Sequence, residues 1–198
     1  MKKLKVKITL SEEALGTSCS SPDIHREFIA SKAPDAKTTE EEVEALGVED
    51  VINKTMTVFP RLDGKPFIYD YQLKGFFKDT CSALARVPDT KSAGLKAYRK
   101  IIDGCIFVFP RKISYELPEG GKIGSCQRPL LANTPQGARV ALANSETVPI
   151  GTSITFEVHA LNDAHEKVVR EWLDYGMLRG LGQWRNSGKG RFSWEEIS

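Results

Sequence analysis

Apolar and polar residues alternate in the first segment of the chain. Residues 3–10 are apolar at every second position, which predicts a strand with one buried face. The same alternation over residues 152–159 predicts a second half-buried strand. Residues 105–109 form a strongly apolar run and predict a third strand, and residues 192–194 predict a short closing strand.

Other segments have apolar residues at helical spacing. Residues 71–86 and 167–178 place apolar side chains three or four positions apart, so both segments are predicted to form amphipathic helices. A shorter helix is predicted over residues 95–101. Thr38 precedes a run of glutamates, which predicts the start of an acidic helix within residues 37–53.

The order of these elements predicts the fold class. Residues 122–148 are rich in small, polar and proline residues and predict a β-hairpin that projects from the body as a thumb. Strand, helix, strands, helix, strand is the order of a ferredoxin-like or RRM-like α+β fold. We therefore expect one domain over residues 1–198, with an antiparallel sheet, helices on one face and residues 37–53 as an insertion.

Composition narrows the class of protein. The chain has 198 residues, a net charge of +2 and 40% hydrophobic residues, which is typical of a soluble globular domain and argues against a surface coated in basic patches. A local basic groove is compatible with that balance. No stretch approaches the ~20 apolar residues of a membrane helix, and the alternating N-terminus does not resemble a signal peptide, so we expect a cytoplasmic protein without a membrane partner.

The cysteines do not predict a metal site. They are widely spaced, without a C-x-x-C pair, and we expect them to be free thiols in a reducing compartment. A zinc site needs closely spaced ligands, so neither a metal nor another cofactor is expected.

The C-terminal segment 179–192 combines glycines with cations. Glycine lets the backbone adopt positive φ and approach a ligand closely, and arginine forks suit phosphates. The segment follows a helix and precedes a strand, which excludes a Walker A loop or a dinucleotide fingerprint. The alternative is a glycine-rich turn required only for packing. The residues singled out as candidate ligands are Arg179, Gly182, Arg185, Gly188, Lys189, Gly190 and Arg191.

Two further segments carry candidate phosphate contacts. The helix predicted after Asp70 places Lys74 and Lys78 near its start, where free N–H groups attract anions. Its aromatic neighbours are more typical of a core than of a stacking platform. On the predicted hairpin, Arg128 and Arg139 flank a polar turn, which suits either a thumb over a nucleic-acid strand or an ordinary loop.

Catalytic patterns are weak. His25, close to Asp23, has the chemistry of a general acid–base pair. The sequence shows no Ser-His-Asp order, metal-ligand spacing or paired carboxylates, and a lone histidine is usually structural. We therefore favour a binding protein over an enzyme.

The three segments, in this order, resemble the RAMP superfamily of CRISPR-associated proteins, and in particular the backbone subunits of type III effector complexes. Leu73-Lys74-Gly75, the hairpin arginines with residues 146–152, and the glycine-rich segment carry the resemblance. It implies an RRM-like fold, binding of the RNA sugar–phosphate backbone and head-to-tail association of protomers along a strand. It also suggests a stand-alone phage or prophage relative.

These observations lead to three hypotheses. The first is a protein that binds single-stranded RNA or DNA, with RNA favoured, through the cations named above, and that assembles into a homo-oligomer or a CRISPR-type complex. The second is an anti-CRISPR-like or assembly-interaction protein that mimics a backbone subunit, which fits the near-neutral charge and the acidic helix. The third is an endoribonuclease that uses His25 or Asp23.

Overall fold

The computed structural model describes residues 1–19, 56–134 and 137–197, and it describes only the backbone of residues 130, 132–134, 138, 139, 141 and 142. The predicted acidic helix in residues 37–53, Asp23, His25 and the side chain of Arg139 therefore lie outside the described part of the chain.

The described residues form the following elements. The strands are β1 (Lys2–Leu10), β2 (Ala14–Leu15), β3 (Ser18–Cys19), β4 (Met56–Val58), β5 (Arg61–Leu62), β6 (Lys65–Tyr69), β7 (Ile106–Phe109), β8 (Lys112–Ser114), β9 (Gly124–Thr134), β10 (Gly137–Val148), β11 (Ser153–Ala160) and β12 (Phe192–Glu196). The α-helices are α1 (Asp70–Leu84), α2 (Tyr98–Cys105) and α3 (Asp163–Arg179), and 3-10 turns occupy Lys91–Gly94 and Arg185–Ser187. None of these helices is both long and apolar enough to cross a membrane.

The central sheet has the strand order β12-β1-β11-β7, and every neighbouring pair is antiparallel. Helix α1 lies between β1 and β7 along the chain, and α3 lies between β11 and β12. This order and connectivity confirm the predicted ferredoxin-like α+β fold. The alternation read from the sequence is also confirmed, because β1 and β11 bury every second residue.

Both long helices cover one face of this sheet. Helix α3 packs on β1, β11 and β12, and α1 packs on β7 and on α3. Trp172 of α3 and Phe77 of α1 are fully buried, with ring centroids 5.4 Å apart. The indole N–H of Trp172 donates to Ser92 Oγ at 3.0 Å, which ties the Lys91–Gly94 turn to the core. The relative position of the two helices is therefore set by buried contacts.

Two helix boundaries differ from the sequence-based expectation. The helix predicted over residues 95–101 begins at Tyr98, because Ala97 has a left-handed conformation with φ of 54° and separates it from the preceding 3-10 turn. The helix predicted from residue 167 begins four residues earlier, at Asp163. Its cap is Asn162, whose side-chain oxygen accepts the His165 N–H at 2.7 Å.

The predicted β-hairpin is present. Strands β9 and β10 pair from Gly124–Thr147 at the base to Thr134–Gly137 at the far end. Near that end, the paired residues Leu131 and Val140 are 71% and 68% exposed, so the arm extends away from the core. Its base is held by β2 and β4, which both pair with β10. The arm is less polar than the sequence suggests, since this exposed pair is apolar.

Candidate nucleic-acid interface

The glycine-rich segment forms a closed loop between α3 and β12. The Leu181 N–H donates to Gly190 O at 2.8 Å, and the Gly190 N–H donates to Glu13 O at 2.9 Å. Leu181 is only 3% exposed and belongs to the hydrophobic core. The ends of the loop are thus fixed to the body, and residues 182–189 form its outer part.

The glycines of the loop have two different roles. The loop contains four glycines, and all of them adopt positive φ, between 73° and 88°: Gly180, Gly182, Gly188 and Gly190. A Cβ on Gly190 would lie 1.9 Å from Leu181 O, and one on Gly180 would lie 2.4 Å from Lys189 O. These two glycines are required by the packing of the loop itself. At Gly182 and Gly188 the nearest atoms would be 3.4 Å and 3.5 Å away, so only the φ angle favours glycine there.

The cations of the loop are matched by acceptors within the protein. Arg185 Nη1 donates to Asp79 Oδ2 at 2.6 Å, and Arg179 Nε reaches the same oxygen at 3.3 Å. Lys189 pairs with Glu13, and Arg191 Nε donates to Leu178 O at 2.9 Å. The side chains of Arg185 and Arg179 are 24% and 28% exposed, so both lie at the surface without being extended into solvent. The sequence alone did not indicate this neutralisation.

Arg128 brings the hairpin to the loop. Its Nη2 donates to Gln183 Oε1 at 3.0 Å, and its guanidinium carbon lies 5.1 Å from the centroid of the Trp184 ring. The residue is only 8% exposed, yet its Nε and Nη1 have no hydrogen-bond partner among the described residues. A buried donor without a partner costs about 1–3 kcal/mol. Two guanidinium nitrogens are therefore enclosed beside the glycine-rich loop without a hydrogen-bond partner among the described residues.

A cleft of about 210 Å³ separates the loop from α1. A second recess of about 400 Å³ continues from it along the outer part of the loop, and both include Gly182 and Arg185. The first cleft is lined by Thr17, Ile68, Gln72, Gly75, Phe76, Leu181, Gly182 and Arg185. The second is lined by Arg179, Gly182, Gln183, Trp184, Arg185 and Asn186. We call the two together the loop cleft.

The wall that α1 contributes to the loop cleft is open at Gly75. A Cβ at this position would meet nothing within 4 Å, so packing inside the protein does not require a glycine here. Gln72, on the same wall, donates from Nε2 to Thr17 Oγ1 and accepts the Tyr69 N–H at 2.9 Å. The first turn of α1 is therefore capped by its own side chains, and the free N–H groups expected there are partly used.

Lys74 and Lys78 lie on a different side of α1. Lys74 Nζ donates to Asp103 O at 3.3 Å and lies 5.1 Å from the centroid of the Phe107 ring. Lys78 Nζ is 2.6 Å from Asp103 Oδ1. Partial burial lowers the pKa of Lys74, and the nearby Asp103 opposes that shift. The two lysines thus face α2 and β7, away from the loop cleft.

The structure therefore brings Arg128, Arg179, Gly182 and Arg185 together, and places Lys189 and Arg191 at the anchored end of the same loop. Sequence reasoning did not identify Asp79, Gln183 or Trp184 as parts of this site. Trp184 had a visible signal, since a tryptophan between glycines in a polar loop is unusual. Within residues 1–19, 56–134 and 137–197, no cluster of histidine, cysteine and acidic residues is suited to hold a metal ion.

Comparison with known proteins shows likeness in structure only. No family model matches the chain, and no curated protein matches it in sequence. Among the solved structures that match is a chain of a type III-B Cmr-beta complex bound to cognate target RNA, with 13% identity and a TM-score of 0.55. The match covers 100% of this chain and 60% of that one. A chain of a type IV-B CRISPR complex matches with 12% identity and a TM-score of 0.48, covering 100% of this chain and 91% of that one.

The first of these matches establishes a shared fold with a chain of the type III-B Cmr-beta complex. Our chain spans about 60% of the length of that chain. The likeness agrees with the α+β architecture expected from the sequence, while 13% identity carries no residue-level correspondence.

Proposed function

We propose that this chain is a RAMP-type protein that binds the sugar–phosphate backbone of single-stranded nucleic acid, RNA in the first place, in the loop cleft. The observation that carries the proposal is the convergence of three guanidinium forks at the loop: Arg179 and Arg185 line the cleft, and Arg128 contacts Gln183 and Trp184 of its lining. A phosphate oxygen is the acceptor that best matches such a fork. The resemblance to type III backbone subunits and the shared fold support RNA as the ligand.

The chemistry of the loop cleft suits binding without sequence readout. Three arginines, Arg128, Arg179 and Arg185, surround the loop, and guanidinium groups contact phosphates whatever the base. Trp184 is 40% exposed and lies against Arg128, so its ring provides a flat surface for a base. Stacking of this kind is tolerant of base identity.

Internal neutralisation limits the affinity of one protomer. A phosphate at Arg185 or Arg179 competes with Asp79, which already holds both guanidinium groups. We infer that a single protomer binds modestly and with strong dependence on salt. Head-to-tail association along a strand, which the resemblance implies, would compensate through avidity.

The proposal is tested by replacing Arg185 with alanine. We expect affinity for labelled single-stranded oligouridylate and oligothymidylate to fall by a similar factor, about fivefold, because one charged phosphate contact is lost. The slope of log affinity against log salt should also decrease in magnitude by about 1. Fluorescence anisotropy over a salt series from low ionic strength measures both quantities.

Arg170→Ala is the matched control for this experiment. Arg170 is also a half-exposed arginine held by carboxylates, Glu166 at 2.6 Å and Glu196 at 2.8 Å, but it lies on α3 outside the loop cleft. If both variants lose affinity by the same factor, the loop cleft is not the binding surface. If the parent protein does not bind either oligonucleotide at low salt, the proposal fails and the assembly-mimic hypothesis becomes the better one.

Removing the competing carboxylate should act in the opposite direction. Asp79→Asn leaves Arg185 and Arg179 without their acidic partner, so we expect affinity for oligouridylate to rise about three- to tenfold. The cost in stability should stay below about 1 kcal/mol because the pair is partly exposed. Glu196→Gln, which removes a carboxylate from Arg170, is the control and should leave affinity unchanged. Unchanged affinity in Asp79→Asn would show that these arginines do not contact the ligand.

A further inference from the structure

The central sheet has a second face that α1 and α3 do not cover. On β1 this face carries Lys3 and Lys5, which are exposed, and Lys7, which is half-buried. On the edge strand β7 it carries Phe107 and Phe109, which are 37% and 47% exposed. Exposed aromatic rings that lie side by side on a sheet are uncommon on a surface without a function.

The strand register aligns these groups in rows. Lys3 pairs with His159, which pairs with Phe107, and Lys5 pairs with Glu157, which pairs with Phe109. Since neighbouring strands are about 4.8 Å apart, the lysines of β1 run about 10 Å from the phenylalanines of β7. At the other side of the rings, Lys74 Nζ lies 5.1 Å from the centroid of Phe107. The aromatic pair is thus flanked by ammonium groups on both sides.

A third ring extends the aromatic surface. His159 lies next to Phe109, with centroids 4.8 Å apart and planes inclined by 47°. The acidic residues on this face are compensated within it: Glu157 Oε2 is 3.0 Å from His159 Nε2, and Glu195 Oε1 is 3.7 Å from Lys7 Nζ. The hydrogen bond from His159 and the charges of Lys3 and Lys5 lower the pKa of Glu157, so this row carries two ammonium groups and one carboxylate.

We propose that this uncovered sheet face is a second binding surface for single-stranded nucleic acid, on which Phe107 and Phe109 stack bases while Lys3 and Lys5 contact phosphates. Exposed rings next to rows of cations are the two components that sequence-tolerant strand binding requires. A four-stranded sheet also presents its rings at a spacing that suits successive bases. None of these four residues lines the loop cleft, so the surface is separate from it.

A second copy of the chain is a less suitable occupant. Its contact would have to be built on two half-exposed rings bordered by lysines and carboxylates. Stable interfaces bury about 800 Å² on each partner and have an apolar centre depleted of charge. On this sheet face, the lysines of β1 occupy the position that the apolar centre of such an interface would need.

The test uses the double variant Phe107→Leu/Phe109→Leu, which keeps the surface apolar and removes the aromatic rings. We expect affinity for a fluorescein-labelled 12-nucleotide oligouridylate to fall about tenfold, as loss of base stacking predicts. The loss should have the same size in the Arg185→Ala background, since separate surfaces contribute additively. Tyr175→Leu, an aromatic substitution on α3, is the control and should bind as the parent does.

Ultraviolet crosslinking of the unmodified protein gives an independent readout. We expect uridine adducts on the peptide that contains Phe107 and Phe109, identified by mass spectrometry. The proposal is overturned if adducts are confined to the peptide that contains Trp184, or if the double variant binds as tightly as the parent. It is also overturned if the double variant changes only the sedimentation coefficient, because the face would then be a contact between copies. Loss of affinity in the double variant together with unchanged binding in Arg185→Ala would refute the loop cleft and support this face.

Discussion

Replacing Gly190 with alanine is expected to lower the free energy of unfolding by about 3 kcal/mol or more. The added Cβ would lie 1.9 Å from Leu181 O, in a backbone with φ of 73° that disfavours any side chain. Relief requires opening the hydrogen bond from Leu181 to Gly190, which also disturbs the buried Leu181 side chain. Urea unfolding followed by circular dichroism measures the loss.

Gly188→Ala separates the effect of the clash from that of backbone conformation. Gly188 also has positive φ, 84°, but its added Cβ would come no closer than 3.5 Å to Arg191. We expect a loss of only about 1 kcal/mol for this variant. Equal losses at the two positions would mean that the closed form of the loop is not the source of the strain.

Replacing Arg128 with methionine is expected to change stability and binding in opposite directions. Methionine fills most of the same space without a buried charge or partnerless donors, so the free energy of unfolding should rise by about 1–2 kcal/mol. Affinity for single-stranded oligouridylate should fall about tenfold or more, because one of the three guanidinium groups that converge at the loop is lost. Thermal unfolding and fluorescence anisotropy on the same preparation measure the two effects.

The opposite signs are what distinguish a ligand-binding arginine from a structural one. Residues kept for function often reduce stability in the absence of their ligand. Arg170→Met is the control, since the two acceptors of Arg170 lie in the protein and affinity should not change. If Arg128→Met destabilises the fold and binds as the parent does, the guanidinium is a packing element.

The fold could be predicted from the sequence because each main strand and helix is indicated by a local pattern of residues. Alternating residues in β1 and β11 and the helical spacing in α1 and α3 each depend on a few neighbouring positions. The order of these elements then restricts the topology to very few possibilities. The helix starting at Tyr98 was misplaced because Ala97 adopts a left-handed conformation that its side chain does not encode.

The candidate site was harder to predict from the sequence because it is assembled from segments that are distant along the chain. Gln72, Phe76 and Asp79 recur at helical spacing and share the stripe of α1 that faces the loop cleft, whereas Lys74 lies on another stripe. Helical periodicity therefore shows that Lys74 lies on a different side of α1 from the other three residues. It does not show which side of α1 packs against the glycine-rich loop. That loop is about 100 residues further along the chain, and only tertiary packing brings Arg185 to Asp79.

The closure of the loop by Leu181 and Gly190 has a thermodynamic consequence. A segment whose ends are already joined to each other and to Glu13 has little chain entropy left to lose on capturing a polymer. Association with this part of the molecule should therefore resemble docking onto a rigid surface rather than coupled folding, with a correspondingly small change in heat capacity.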